Sequence, residues 1–246
     1  MLKGLDLFSG IGGVSLGLRE YVRPIAYCEI DPYCQEVLLS RMADGLLPNN
    51  PIWNDITTLQ SCDFSEYPEI IYAGFPCQGI SCAGHGKGLE DERSGLFFEI
   101  VRLANEIEPK FIFLENVPAI TSRGGIQVIE AITSMGYDCR WCTISAESVG
   151  APHKRDRWFL LAHSNSQPSE QTYQISKPNQ AEEETWLRSA RQVRGNVYTS
   201  YWQENKSPVF RMDDGIPFEL DRAKSLGNSV VPQQVKKAFE VLMGLD

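Results

Sequence analysis

Apolar runs of strand length alternate with helical patterns through the first 160 residues. The sequence therefore predicts an α/β fold, a doubly wound, mostly parallel sheet with a small insert toward its C-terminal end. Three observations carry this expectation. The first apolar run leads straight into a glycine-rich turn and then a helix, the opening of a βαβ unit. Later runs end in residues able to do chemistry, Glu29, Asp55, Cys77 and Glu115, and a parallel sheet would gather these at one edge. The alternation stops near residue 163, where the composition turns polar.

Residues 2–8 read as a buried strand, and Ser9-Gly10-Ile11-Gly12-Gly13 then turns the chain into a helix through Val14, Leu16 and Leu18. Glycines permit a tight turn there and let a ligand approach the backbone. The second strand, 24–28, ends in Glu29, 17 positions after Gly12. That is close to the spacing at which an acidic side chain meets ribose hydroxyls. A tight βα turn with no ligand is the other reading of the same glycines. No Gly-Lys-Ser/Thr follows, which argues against a P-loop.

A helix is expected from Pro32 to about Met42, followed by a third strand around Ile52-Trp53-Asn54-Asp55-Ile56, with Asp55 at its end. The run Glu69-Ile70-Ile71-Tyr72-Ala73-Gly74 is a buried strand that emerges into Phe75-Pro76-Cys77-Gln78. Cys77 is either a nucleophile or a small apolar residue of the core. Four glycines between 79 and 88 read as a mobile lid. A helix over 94–107, a strand over 110–114 ending in Glu115, a helix over 125–135 and a strand over 138–145 continue the alternation.

Arg155 and Arg157 precede a strand at 158–162. In extended backbone they point to one side, as a functional pair or as a solvated charged edge. Polar residues dominate from 163 to about 208, which reads as an insert. Within it Arg188, Arg191 and Arg194 recur at helical spacing near Trp186, Tyr198, Tyr201 and Trp202. Such a set can bind phosphate and stack bases, or can be a solvated helix face. The expected division is a catalytic and cofactor-binding domain at 1–162, a small recognition region at 163–210, and a C-terminal segment at 211–246 that returns to the first domain. That last segment holds a turn at Gly227-Asn228-Ser229-Val230 and a helix after Pro232.

Composition narrows the classes further. Hydrophobic content of 42% with 22% charged residues is that of an ordinary water-soluble domain, and no apolar run is long enough to span a membrane. The chain starts on a strand pattern, so a cytoplasmic protein is expected. Seven cysteines scattered through apolar segments suggest reduced thiols, and the single Cys139-Arg-Trp-Cys142 pair has no partner pair for zinc. The net charge of −9 disfavours indiscriminate binding to polyanions, so nucleic-acid binding, if present, should weaken steeply with salt.

Taken in order, Asp6-Leu7-Phe8-Ser9-Gly10-Ile11-Gly12-Gly13, Phe75-Pro76-Cys77-Gln78, Glu115-Asn116-Val117, Arg155-x-Arg157 and Gly227-Asn228-Ser229-Val230 strongly resemble the DNA cytosine-5 methyltransferases. The resemblance spans nearly the whole chain and points to the small bacterial or phage type. It implies a Rossmann-like methyltransferase fold, S-adenosylmethionine as donor, S-adenosylhomocysteine as product and no metal. It implies that Phe8, Gly10, Gly12, Glu29, Ile30, Asp55, Ile56, Pro76, Asn228 and Val230 bind the donor. Cys77 would add to carbon 6 of a flipped-out cytosine, Glu115 would hold or protonate ring nitrogen 3, and Arg155 and Arg157 would fix the base and Glu115. The implied partner is double-stranded DNA, read by a monomer, with a cognate restriction endonuclease as a companion in a restriction-modification system. His153 stands where Gln is commonest in that family, and the family's usual segment before the final turn is not recognisable at 208–215. Three rival readings are an RNA cytosine-5 methyltransferase on the same plan, a silent nucleic-acid-binding module and a nicotinamide-dependent oxidoreductase. The last fits only the first 30 residues.

Overall fold

The computed structural model describes residues 1–76, 95–166 and 229–245. Among these, seven strands form one sheet in the order β3-β2-β1-β4-β5-β7-β6. They are β1 (Leu2–Leu7), β2 (Val22–Cys28), β3 (Ile52–Trp53), β4 (Ile70–Gly74), β5 (Phe111–Asn116), β6 (Tyr137–Ser145) and β7 (Asp156–Ser164). The helices are α1 (Gly13–Leu18), α2 (Pro32–Ala43), α3 (Gly95–Ile107), α4 (Ile120–Arg123), α5 (Gly125–Ser134) and α6 (Pro232–Met243). The order reverses direction between β1 and β4, the switch point at which doubly wound sheets bind ligands. The expected lid at 79–88, Cys77, Asn228 and the polar insert from residue 167 onward lie outside the described residues.

Strands β1 to β5 pair in parallel, whereas β7 runs antiparallel to both β5 and β6. Only a short connection at 146–155, holding a single 3-10 turn at Glu147–Val149, joins β6 to β7. A parallel crossover requires a dozen or more residues and usually a helix, so this connection can only fold back. The sheet is thus mostly parallel, with a hairpin at one edge. That hairpin turns the strand start, and with it Arg155 and Arg157, toward the same edge as the carboxyl end of β5.

Alternation places both cores. Leu5, Leu7, Ile71, Ala73, Ile112, Leu114, Trp158 and Leu160 face one side, where α3 and α5 cover them with Phe97, Ile100, Leu103, Val128 and Ile132. Ile70, Tyr72, Phe111, Phe113, Phe159 and Leu161 face the other, beneath α1 and α6 with Val14, Leu18, Val235, Ala238 and Phe239. Strands buried on both faces need such continuous apolar runs, and that is what made them legible. Phe113 stacks on Phe159 at 5.8 Å between centroids and meets the edge of Phe239 at 5.5 Å. A third, smaller cluster seats α2 against Tyr27 through Leu38 and Met42.

Helices α1 and α6 touch through Gly17. A Cβ there would lie 2.5 Å from Val235 Cβ and 2.6 Å from the Pro232 carbonyl oxygen, and neither backbone nor branched carbon can yield cheaply. Gly17→Ala should therefore cost about 1–3 kcal/mol by overpacking, despite alanine's better helix propensity. Thermal unfolding will show this as a lowered Tm; an unchanged or raised Tm would refute the close contact.

Candidate active site

The turn after β1 is held in a conformation that few residues adopt. Phe8, Gly10 and Gly12 all have positive φ, at 54°, 52° and 80°. For an aromatic residue this is strained backbone, of the kind that persists where the surrounding structure enforces it and that clusters at functional sites. The enforcing contacts come from β1, the end of β2 and α2. Ser9 N–H donates to Cys28 O at 3.0 Å, and Ser9 Oγ donates to Asp6 O at 2.9 Å. Glu29, at the end of β2, accepts from Gly10 N–H at 2.6 Å through one oxygen and from Asp31 N–H at 2.8 Å through the other. Arg41 of α2 donates to Ile11 O.

Glu29 thus shapes the turn before it meets any ligand, and each of its oxygens retains a lone pair. Ile30, next in the chain, is 73% exposed, an apolar surface beside an acidic acceptor. Space for a Cβ at Gly10 is open, with no atom within 4 Å.

Beneath the turn lies a polar group that sequence reading quoted within a motif but gave no role. Asp6 is wholly buried; its Oδ2 accepts from Ser15 Oγ at 2.6 Å, and Ser15 Oγ also meets Tyr72 OH at 2.7 Å. Asp6 Oδ1 has no hydrogen-bond partner among the described residues. Burial, outweighing the hydrogen bonds from Ser15 and Ser9, pushes the Asp6 carboxyl up to about 7. A raised carboxyl favours the fold most below its unfolded value near 3.8, and that advantage is lost as pH rises through about 7. Asp6→Asn removes the titration. Its stability relative to the natural protein should improve between pH 4 and pH 8 by a few kcal/mol, measured by urea unfolding across that range. A difference that stays flat with pH would show that Asp6 is ionised throughout.

At the far side of the switch point stands a second buried carboxyl. Glu115 pairs in register with Gly74 of β4 and Phe159 of β7, so its side chain rises on the face shared with α1 and α6. Arg157, near the start of β7, reaches diagonally to it, with Nε 2.7 Å from Glu115 Oε1, and both groups are about nine-tenths buried. A Cβ at Gly74 would sit 3.0 Å from Glu115 Oε2, so glycine is what leaves room for the carboxyl. Burial raises Glu115 to about 7, against the opposing pull of Arg157 and Arg155. Desolvation is the largest of these effects and outweighs the attraction of both guanidinium groups. Arg155 donates from Nη2 to Ser229 O at 2.7 Å, and burial and the like charge of Arg157 hold its pKa below the ordinary value.

Asn116 follows Glu115 and points the other way. It is buried, and its Nδ2 donates to Phe75 O at 2.9 Å while its Oδ1 accepts from Val117 N–H at 2.8 Å. It therefore ties the end of β5 to the point where Phe75 and Pro76 leave β4, one residue short of Cys77. Phe75 itself is buried, its ring 5.4 Å from that of Phe97. The only sequence signal for this role was adjacency to Glu115.

The remaining expected donor-binding residues lie apart in their surroundings. Asp55 caps the 3-10 turn Ile56–Thr58, accepting from Thr57 N–H at 2.9 Å and Thr57 Oγ1 at 2.7 Å, which lowers its pKa. Ile56 is packed into the core beneath α3. Val230 is buried against the start of α1, where a Cβ at Gly13 would come within 3.2 Å of Val230 Cγ1.

Cys139 and Cys142 sit three apart on β6, an odd separation, and so face opposite sides: Cys139 joins the core under α5 and Cys142 the one under α6. Burial raises both thiols to about 11. The pair can neither share a metal ion nor bridge.

An open α/β sheet with a strained glycine turn after β1 and a buried carboxyl at the end of β5 defines the doubly wound class, with its ligand edge at the carboxyl ends of the strands. The chain belongs to the C-5 cytosine-specific DNA methylase family, whose model matches residues 2–214. Among relatives, Type II methyltransferase M.CviJI of Paramecium bursaria Chlorella virus IL3A is 35% identical over 238 residues, covering 96% of this chain and 58% of the relative. Type II methyltransferase M.DsaV of Dactylococcopsis salina is 29% identical, covering 98% of this chain and 70% of its own length. The chain thus spans well under two thirds of the first of these relatives. A crystal structure of a DNMT2 variant from Spodoptera frugiperda shares the fold, with a TM-score of 0.56 at 22% identity over 67% of this chain and 50% of that one. Among the described residues no helix is long and apolar enough to cross a membrane.

Proposed function

We propose that the protein transfers a methyl group from S-adenosylmethionine to carbon 5 of a cytosine in duplex DNA, with the base flipped out and held covalently through Cys77. The observation that carries this reading is the buried Glu115–Arg157 pair beside Gly74, at the point where Phe75 and Pro76, which precede Cys77 in the sequence, leave the sheet. Membership of the family supports it.

The glycine turn suits an adenosyl ligand. Glu29 offers acceptor lone pairs for ribose hydroxyls, Phe8 and Ile30 offer apolar surface to an adenine ring, and Asp55 offers an acceptor for an amino group. Gly10 leaves open space where a Cβ would stand, Gly12 gives the turn its left-handed backbone where a Cβ would strike Leu47 and Leu38, Val230 closes the turn from the C-terminal side, and Pro76, Ile56 and Asn228 complete the set. The donor, when bound, supplies an electrophilic methyl group.

The chain's own residues do the rest. Carbon 5 of cytosine is a weak nucleophile until a thiolate adds to carbon 6, so Cys77 Sγ forms a bond there and carbon 5 becomes enamine-like. Glu115, protonated near neutral pH, gives its proton to nitrogen 3 and drains the charge that addition creates. Arg157 holds Glu115 in place, and Arg155 adds positive charge at the same edge. After transfer, a base or water takes the hydrogen from carbon 5 and the Cys77–carbon 6 bond breaks. Extruding the base costs a few kcal/mol, which protein contacts must offset. The polar insert at 163–210 reads the target sequence, and its small size suits a short or lax site. The protein acts as a monomer in the cytoplasm, alongside a cognate restriction endonuclease.

Labelled-methyl transfer to duplex DNA and to transfer RNA tests the reading. Label should enter DNA at carbon 5 of cytosine; incorporation into transfer RNA alone, or into neither, would reject it.

A further inference from the structure

Gln234 is wholly buried near the start of α6, yet its amide serves elements other than its own helix. Nε2 donates to Ile144 O of β6 at 2.8 Å and to Arg155 O just ahead of β7 at 2.6 Å. Both neighbours are carbonyls, which fixes which way round the amide lies. Its Oε1 has no hydrogen-bond partner among the described residues. An orphaned buried oxygen is destabilising, and an apolar side chain of similar size would fill the space without it. Packing alone therefore gives no reason for an amide here, whereas its two donors do.

Those donors close the neck of the 146–155 connection. Ile144 pairs in register with Arg157, and Arg155 O accepts from Ala146 N–H as well, at 3.0 Å. Arg155 is also gripped at its other end, where the guanidinium donates to Ser229 O at 2.7 Å. Both grips come from one short segment, 229–234, and Val230 within it packs on the start of α1 after the glycine turn. One strap thus touches the turn on one side and Arg155, the neighbour of the Glu115–Arg157 pair, on the other.

We infer that Gln234 is a positioning residue for the proposed reaction: by holding the backbone of Arg155 it sets that guanidinium against Glu115. The inference rests on the methyltransferase reading for its effect on rate, but its geometric core does not. The charged groups around Glu115 among the described residues are Arg157 and Arg155, and both favour its ionised form. Release of Arg155 should thus make Glu115 harder to ionise.

The test compares the natural protein with Gln234→Met, Arg155→Ala and the double variant. The Glu115 carboxyl is followed by carbon-13 NMR without DNA, and methyl transfer and S-adenosylhomocysteine affinity are measured alongside. Gln234→Met should raise the Glu115 titration midpoint and lower kcat roughly tenfold, less than the hundredfold a 1 Å misplacement can cost. Cofactor-product affinity should hold within about twofold, and Gln234→Met should add no further change once Arg155 is alanine, as expected of residues acting as a unit. An unmoved midpoint, or losses that simply add, would overturn the inference and leave Gln234 a structural clamp. If Gln234→Met does not fold, Gln234→Asn, which keeps an amide too short to reach both carbonyls, is judged by the same titration. The titration needs no turnover. A natural protein that methylates nothing would therefore reject the proposed function while the midpoint still decides the role of Gln234.

Discussion

Cys77→Ala is expected to abolish methyl transfer to DNA, by at least about 10⁴-fold, the scale on which enzymes lose rate when a covalent nucleophile is removed. Gly74 ends β4 opposite Glu115, and Asn116 fixes Phe75 O, two positions before Cys77 in the sequence. Donor binding draws on Phe8, Gly10 and Glu29 at the end of other strands. S-adenosylhomocysteine should therefore bind Cys77→Ala within about twofold of the natural protein, since separated sites act independently. A duplex carrying 5-fluorocytosine should trap a covalent adduct with the natural protein and none with Cys77→Ser. Residual methylation by Cys77→Ala would remove the centre of the proposed mechanism.

Glu115→Gln is expected to lower kcat by about 10²–10⁴, the usual contribution of a positioned acid. Its pH dependence carries more information than its size. With Glu115 near 7, activity of the natural protein should fall as pH rises through that value, because the proton needed at nitrogen 3 is lost. The variant should lack this limb. The same raised pKa makes a stability statement: the protonated carboxyl suits its buried position best below about 4.5, and the advantage is gone above about 7. Relative to the natural protein, Glu115→Gln should gain stability between those values, by up to about 3 kcal/mol. Its absolute stability also carries the cost of leaving buried Arg157 without its partner, so the change with pH is the quantity to read. A kcat profile with the same alkaline limb in both proteins would assign that limb to another group.

The strand ends on which the candidate site is built were largely legible in the sequence. Glu29, Asp55 and Glu115 lie at or just beyond strand ends, and Gly10 and Gly12 form a turn whose backbone requires glycine or pays strain, as Phe8 does. Strand ends are local features of hydrophobic periodicity, and a parallel sheet brings them to one edge whatever the details. The reading failed where roles depended on what lies across the sheet. Asp6 looked like one more residue of a motif; its bond to Ser15, which itself meets Tyr72 from another strand, exists only in the fold. Asn116, Gly74 and Gln234 carry no individual signal, because an amide or a glycine acquires meaning only from what it faces.

What the sequence by itself determined is therefore the order of strands and helices, their two-sided burial and the set of chemically capable residues at the carboxyl edge. All of these follow from apolar periodicity and from the backbone limits of glycine and proline, which act over a few residues. Tertiary structure alone decided that β7 runs antiparallel, that Arg157 rather than Arg155 pairs with Glu115, and that Gln234 and Ser229 grip Arg155 from positions more than 70 residues away. Those outcomes depend on strand order and on which polar groups burial leaves facing one another, and a buried carbonyl or guanidinium must take whatever partner the fold brings within about 3 Å.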